Sequence, residues 1–369
     1  MTTNFRLPGP TPLPPAVLEA MQREMIPHRG GEFKALFGEI LCLAREIHRT
    51  EGDVLVWPAS GSAGWEVAIV NLFSPGDAVL ATVCGDFGDR FARIAARFGL
   101  DVRRLDVPWG SAVTPEALAG ALDGGAPVKG VFLTHNETST GVTNPLPELA
   151  QVARDHGALT VVDAVSSAGG LPLETDAWGL DFVLSGSQKA WMCPPGLLIA
   201  AVGARAWDAH RSARFPRFFW DLTAARESAM ANMTPTTPPL TLLYAYHAAL
   251  QMITAEGVDA VWARHAAMGE LTRAGIRDLG LKLFADPVYA SNTLTSFQPP
   301  AGVEVDDLLR TLRRDHQVEA QKGQGAIADQ IVRIGHMGWV HEPEMRGALT
   351  ALGASLRSLG ARQPLVAVL

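Results

Sequence analysis

Short apolar runs recur through the first half of the chain. They are DVLVWP (53–58), AVLATV (78–83), VKGVFLTH (128–135), LTVVDA (159–164), DFVLSG (181–186) and LLIAAV (197–202). Each is strand-length, rich in Val, Leu and Ala, and bounded by turn-forming residues. Between them lie segments with helical spacing, such as GWEVAIVNLF (64–73), FGDRFARIAARFG (87–99) and LPELAQVARDHG (146–157). Apolar strands alternating with helices predict an α/β fold, a mostly parallel sheet covered on both faces. Ahead of this pattern, LPGPTPLPPAVLEAM reads as a Pro-rich extended arm from Leu7 and a helix starting near Pro15. After about Thr237 the pattern changes. A long helical stretch, LTLLYAYHAALQMITAEG (240–257), leads into helices and polar strands ending in LTALGASLRSLG (349–360). The expected division is an arm over 1–14, a large domain over 15–256 and a smaller α+β domain over 257–369. No internal repeat or low-complexity linker interrupts it.

Composition narrows the class. Of the 369 residues 47% are hydrophobic and 19% charged, enough for a sizeable core. A formal net charge of −7 argues against a nucleic-acid or anionic-membrane surface, which needs clustered Lys and Arg. No apolar run reaches membrane-spanning length, no charged-then-apolar leader opens the chain, and the final PLVAVL is not a targeting tripeptide. A soluble cytoplasmic enzyme is the expectation. Cys42, Cys84 and Cys193 lie far apart and lack CxxC spacing, so they read as small core residues rather than a disulfide or zinc framework. The histidines show no HExxH or other metal spacing, and no metal is expected.

The informative polar residues sit where strands end, which is where open parallel sheets bind ligands. PASGSAGWE (58–66) follows the first strand and offers small side chains, free amides and a helix N-terminus, an anion site. THNETSTG (134–141) follows the third, Asp163 ends the fourth, and Ser185-Gly186-Ser187-Gln188-Lys189 follows the fifth. Taken singly, each has a plainer reading: an N-cap, a turn carboxylate, a solvated or paired lysine. Together they suit pyridoxal phosphate. That cofactor needs a phosphate cradle, a carboxylate to keep its pyridine nitrogen protonated, and a lysine neutral enough to form an imine. Burial in the apolar LSGSQKAWMCPPGL segment lowers a lysine's pKa and makes it nucleophilic.

The stretches LPGPTPLP, ASGSAGWEVAIVNLFSPGD, LTHNETSTGV, VVDAVSSAGG, SGSQKAWMCPPG, TPTTPPLTLLYA and VRIGHMG run from Leu7 to Gly338. In order and spacing the chain resembles the class V aminotransferases of the fold-type-I pyridoxal-phosphate enzymes, and within them the alanine– and serine–glyoxylate aminotransferases. The resemblance implies a mostly parallel, seven-stranded-type sheet between helices with a smaller C-terminal domain. It implies pyridoxal 5'-phosphate held by Lys189 as the internal aldimine, the same amine moving the proton between the substrate α-carbon and the cofactor's C4′. Asp163 would pair with the pyridinium nitrogen and Thr138 with the ring hydroxyl. Phe87 would stack on one ring face and Val165 pack the other. Gly61, Ser62, Ala63 and Gln188 would hold the phosphate.

Thr237 would reach the cofactor phosphate of the neighbouring subunit, making a homodimer part of the site. Thr234 stands where the family often has a tyrosine, a hydroxyl with shorter reach, and Phe87 where it often has tryptophan. Arg333 matches the arginine that clamps the substrate α-carboxylate through its planar fork. His28 and Arg29 either face the partner's active site, where they would help select a substrate with a second anionic group, or cap the N-terminal helix or pair with Glu32.

The implied reaction moves an amino group from alanine or serine to glyoxylate or pyruvate. Other donors (2-aminoethylphosphonate, ureidoglycine, aspartate, pyridoxamine) stay open. A cysteine desulfurase or lyase would need a mobile Cys and a His before the lysine, where Gln188 stands. A non-catalytic phosphate-binding protein using the Gly-Ser turn is the rival from another class.

Overall fold

The computed structural model describes residues 3–361. The first two residues of the expected arm, and 362–369 at the end of the expected small domain with PLVAVL, lie outside the described residues. All six expected strands form, as β1 (Asp53–Trp57), β2 (Ala78–Val83), β4 (Gly130–Thr134), β5 (Leu159–Asp163), β6 (Phe182–Gly186) and β7 (Leu198–Val202). A seventh, β3 (Asp101–Asp106), was not expected. Its sequence DVRRLD is charged and largely exposed because it is an edge strand, paired only to β2. The sheet order is β1-β7-β6-β5-β4-β2-β3, with β7 antiparallel to both neighbours and the ladder from β6 to β3 parallel.

Strands β4 to β7 are buried along their whole length, which explains their unbroken apolar composition. Successive residues feed opposite faces. Val131 and Leu133 enter one apolar cluster, Phe132 the other; Val183 and Leu184 divide the same way. Helix α1 (Gly61–Leu72) begins three residues before the apolar run that announced it and lies directly on the sheet. A Cβ at Gly64 would sit 2.8 Å from Leu198 Cδ1 and 2.9 Å from Leu184 Cβ, so only glycine permits this approach. Helix α2 (Asp86–Arg97) follows β2.

A second, four-stranded antiparallel sheet contains β8 (Lys282–Leu283), β9 (Leu294–Gln298), β10 (Gln321–Lys322) and β11 (Val332–Gly335), in the order β8-β9-β11-β10. The arm forms a separate two-stranded ladder beside it, Asn4–Phe5 pairing in parallel with Val318–Glu319, and the Gly335 amide of β11 donates to the Arg6 carbonyl at 2.7 Å. One expectation fails. Cys84 and Cys193 are buried, but Cys42 is exposed. It lies in the amphipathic helix Gly31–His48, where the helical turn carries it out of the stripe that buries Leu41. No helix among the described residues is long and apolar enough to cross a membrane.

Gly64→Val is expected to overpack the α1–sheet contact and lower stability by about 1–3 kcal/mol. Urea unfolding of wild type and variant checks this; an unchanged midpoint would mean that the helix can lift off the sheet freely.

Candidate active site

Register brings the polar strand ends together. Asp163 at the end of β5 is paired with Thr134 of β4 and Leu184 of β6, so THNETSTG, Asp163 and the Ser185–Lys189 segment leave the sheet at one edge. Helix α1 opens beside them. Ser60 occupies its N-cap position, yet the hydroxyl makes no capping bond. The Ala63 amide is taken by the Ser60 carbonyl at 3.0 Å, whereas the amides of Gly61 and Ser62 find no partner among the described residues. A helix N-terminus with free amides favours an anion.

A cavity of about 320 Å³ lies here. Seven of the expected residues line it: Gly61, Ser62, Phe87, Asp163, Val165, Gln188 and Lys189. A larger hollow of about 580 Å³, beside Cys42 and Asp176, holds none of them. Lys189 is 9% exposed. Burial pulls its amine down to about 8; the Arg333 charge adds to the shift and Asp163 opposes it. Asp163 is buried too, and burial raises its carboxyl to about 7 against the hydrogen bonds that favour its ionised form. Those bonds come from the Val165 amide at 2.9 Å and the Trp65 indole at 3.0 Å. A buried Gln188 amide oxygen has no partner. Two free amides, a depressed amine and a carboxyl with no ion-pair partner among the described residues fit a phosphate-bearing pyridine aldehyde.

Arg333, on β11, is buried and stands apart from that lining. Its Nε donates to the Lys322 carbonyl (2.9 Å) and one Nη to Thr138 O (2.9 Å) and Gln324 Oε1 (3.0 Å). No carboxylate pairs with it among the described residues, and burial brings its pKa down to about 10. A buried guanidinium free of a protein carboxylate suits a ligand's. Thr138 is buried, with its hydroxyl donating to Ser166 at 2.7 Å.

The remaining expected residues fall elsewhere. Thr234 is buried and donates to the Thr236 carbonyl at 2.7 Å; Thr237 is exposed. Arg29 donates to the Thr234 carbonyl at 2.8 Å, while Glu32 pairs with Arg23 rather than Arg29.

Three contributors were not read from the sequence. Trp65 lies four residues after Gly61, one helical turn along, so helical spacing alone put it on the same face. Arg90 lines the cavity, bonds Asp86 at 2.7 Å and sits 5.0 Å from the Phe87 ring centre. Glu137 is fully buried and accepts bonds from the Phe87 amide (3.2 Å) and the Gly88 amide (3.0 Å), while Ser139 Oγ accepts from the Asp86 amide at 2.9 Å. Together they cap α2 and hold Phe87 at the cavity wall. No local motif signals a cap supplied from fifty residues away.

A carboxyl whose folded pKa is raised contributes fully below its unfolded value, and that contribution is lost as pH rises through the folded value. For cofactor-free protein, the stability of wild type relative to Asp163→Asn is therefore expected to fall between pH 3.8 and about 7. A shift of this size corresponds to roughly 4 kcal/mol. Denaturant unfolding across that range checks it; parallel curves for the two proteins would mean that Asp163 ionises as easily folded as unfolded.

The family described as "Aminotransferase class-V" matches residues 4–339. A protein named soluble hydrogenase, small subunit, from Synechococcus sp. (strain PCC 6716) is 39% identical over 96% of this chain and 93% of its own. The serine–glyoxylate aminotransferase of Methylorubrum extorquens is 35% identical over 96% and 91%. Among solved structures, an alanine–glyoxylate aminotransferase from Nostoc sp. shares the fold with a TM-score of 0.93, at 33% identity over 97% of this chain and 96% of that one. The architecture is that of the fold-type-I pyridoxal-phosphate aminotransferases, and by a match running from the arm to the second sheet the chain belongs to the class-V aminotransferase family.

Proposed function

We propose that the protein is a pyridoxal-phosphate aminotransferase that passes the amino group of alanine or serine to glyoxylate, with pyruvate as a further acceptor. The observation that carries this reading is the pairing, in one cavity, of a lysine amine lowered to about 8 with a buried carboxyl raised to about 7. Bound pyridoxal phosphate supplies a conjugated ring that takes up the negative charge left on an amino acid's α-carbon and carries the amino group between the two half-reactions.

The chain's own residues do the rest. Lys189 Nζ, lowered to about 8, gives up its proton more readily near neutral pH than an ordinary lysine, and so would take the α-proton and return it. Asp163, oriented by Trp65 and Val165, holds a proton on the ring nitrogen. The Gly61 and Ser62 amides with Gln188 hold the phosphate, Phe87 and Val165 pack the ring faces, Ala63 supports the phosphate turn, and Thr138 bonds the ring hydroxyl. Arg333 would orient the substrate α-carboxylate, and the buried surroundings would keep bulk water from the reacting groups.

The same reading includes a cytoplasmic homodimer, with Thr237 and Thr234 directed at the partner's cofactor phosphate; the exposed Thr237 side chain supports that. It also includes the division of the chain at residue 257, which the two separate sheets support. Glyoxylate is favoured because both named aminotransferase relatives are named for it. One other donor class has an observation behind it: Arg90, in the cavity wall, would meet the second carboxylate of aspartate.

Protein reconstituted with pyridoxal phosphate is expected to show a visible absorption band. Alanine or serine alone should shift it, and glyoxylate should restore it. Bleaching by aspartate but by neither small donor would move the assignment to a dicarboxylic donor. No band at all would overturn the cofactor and the reaction. Arg333→Lys should raise KM for the amino acid by about tenfold or more through loss of the two-point clamp, with a smaller change in kcat; an unchanged KM would place the carboxylate elsewhere.

A further inference from the structure

The arm does more than lead into the first helix. It is tied to the small sheet at one end, through Asn4 N to Gln317 O (2.8 Å), Arg6 N to Glu319 O (2.8 Å) and Gly335 N to Arg6 O (2.7 Å). It is tied to the lysine segment at the other, through Thr11 N to Gln188 O (3.1 Å) and Thr11 Oγ1 to Lys189 O (2.9 Å). Between these anchors the chain crosses the lysine side chain. Lys189 Nζ donates to the Pro8 carbonyl at 2.5 Å. Gly9 lies against the methylene stem with φ +109, and a Cβ there would fall 2.5 to 2.7 Å from Lys189 Cδ, Cε and Nζ.

We propose that the Leu7–Thr11 strap is a positioning device for Lys189: the Pro8 carbonyl is the acceptor that holds the amine whenever it is not covalently engaged, and Gly9 is the residue that lets the strap close on it. The inference rests on the reading of Lys189 as the reactive amine. Its physical basis is direct. An amine that swings free between two half-reactions samples several rotamers of a long side chain. A neutral acceptor fixed by four backbone bonds and one side-chain bond limits that sampling without fixing a positive charge, as a carboxylate would. The strap also removes water from the amine. Desolvation is the largest cause of the lowered lysine pKa, and the charged groups that bear on Nζ besides it are Asp163 from β5 and Arg333 from β11, with Arg90 of α2 across the cavity. Glycine at position 9 is therefore demanded twice, by backbone conformation and by the lysine it covers.

The test uses the cofactor-free, full-length protein. Trace acetylation with acetic anhydride across pH 6 to 11, read by peptide mass spectrometry at Lys189, gives the amine's titration midpoint. The wild-type midpoint is expected near 8. Gly9→Ala must push strap and lysine apart, readmit water and raise the midpoint by about one unit or more toward that of an ordinary lysine. Thr11→Val, isosteric and without the bond to the Lys189 carbonyl, should shift it the same way by less, and serves alone if Gly9→Ala does not fold. A midpoint unmoved in the folded variants overturns the proposal. Adding pyridoxal phosphate to the same wild-type sample separates the two claims. A cofactor band with unmoved variants refutes the strap and leaves the aminotransferase reading intact; absence of the band refutes the reading on which the strap's catalytic meaning depends.

Discussion

Desolvation of Lys189 and Asp163 is the constraint on which the rest of the site depends. Each group is held where its charged form is disfavoured, and each is moved by it toward neutrality: the amine down to about 8, the carboxyl up to about 7. Neither shift comes mainly from a partner charge. It comes from the architecture that surrounds them, a sheet buried on both faces whose strands end together at one edge. Gly64 belongs to this arrangement although it touches no ligand. By letting α1 lie on Leu184 and Leu198, it sets the helix N-terminus beside the strand ends. The geometry of the sheet thus fixes both the acidity of the reactive groups and the place where an anion would bind.

Two helices start at this edge, and they treat their exposed amides in opposite ways. The first amides of α2 are satisfied by the protein itself, through Glu137 and Ser139. Those of α1 are left open, since Ser60 does not cap and Gly61 and Ser62 find no protein acceptor. A capped terminus is rigid, and α2 carries Phe87 and Arg90 in its first two turns. An uncapped terminus facing a cavity is poised for an anion. One end therefore builds the wall and the other the cradle, and only the second could be guessed from Gly-Ser composition.

Strand positions were legible because they follow from a local rule. A strand covered on both faces must be apolar throughout, and β4 to β7 are. The edge strand β3 escaped because that rule does not apply to it: its neighbour lies on one side only, and Asp101, Arg104 and Asp106 are exposed. The same division runs through the site. Lys189, Asp163 and the Gly-Ser turn stood out as polar residues at the ends of apolar runs. Trp65 was within reach of helical spacing from Gly61. Glu137 and the Pro8 carbonyl were not, because their importance lies in contacts between segments 49 to 181 residues apart. Cys42 shows the converse error: residue type suggested the core, whereas its angular position on an amphipathic helix decided exposure.

The uncompensated groups also bear on stability. Among the described residues Asp163 has no ion-pair partner, Arg333 no carboxylate partner and the Gln188 oxygen no donor. A fold selected for stability alone would replace or pair such groups, since buried charges and unmet polar atoms are destabilising. Their retention, in a chain whose strands β4 to β7 are otherwise cleanly apolar, fits partners supplied from outside the protein. The first two would be met by different parts of an amino-acid–cofactor complex, the protonated ring nitrogen and the substrate carboxylate. Anything that binds only the folded state stabilises it by mass action. Ligand binding and folding would then be coupled through Asp163 and Arg333, whose desolvation is offset when the site is filled.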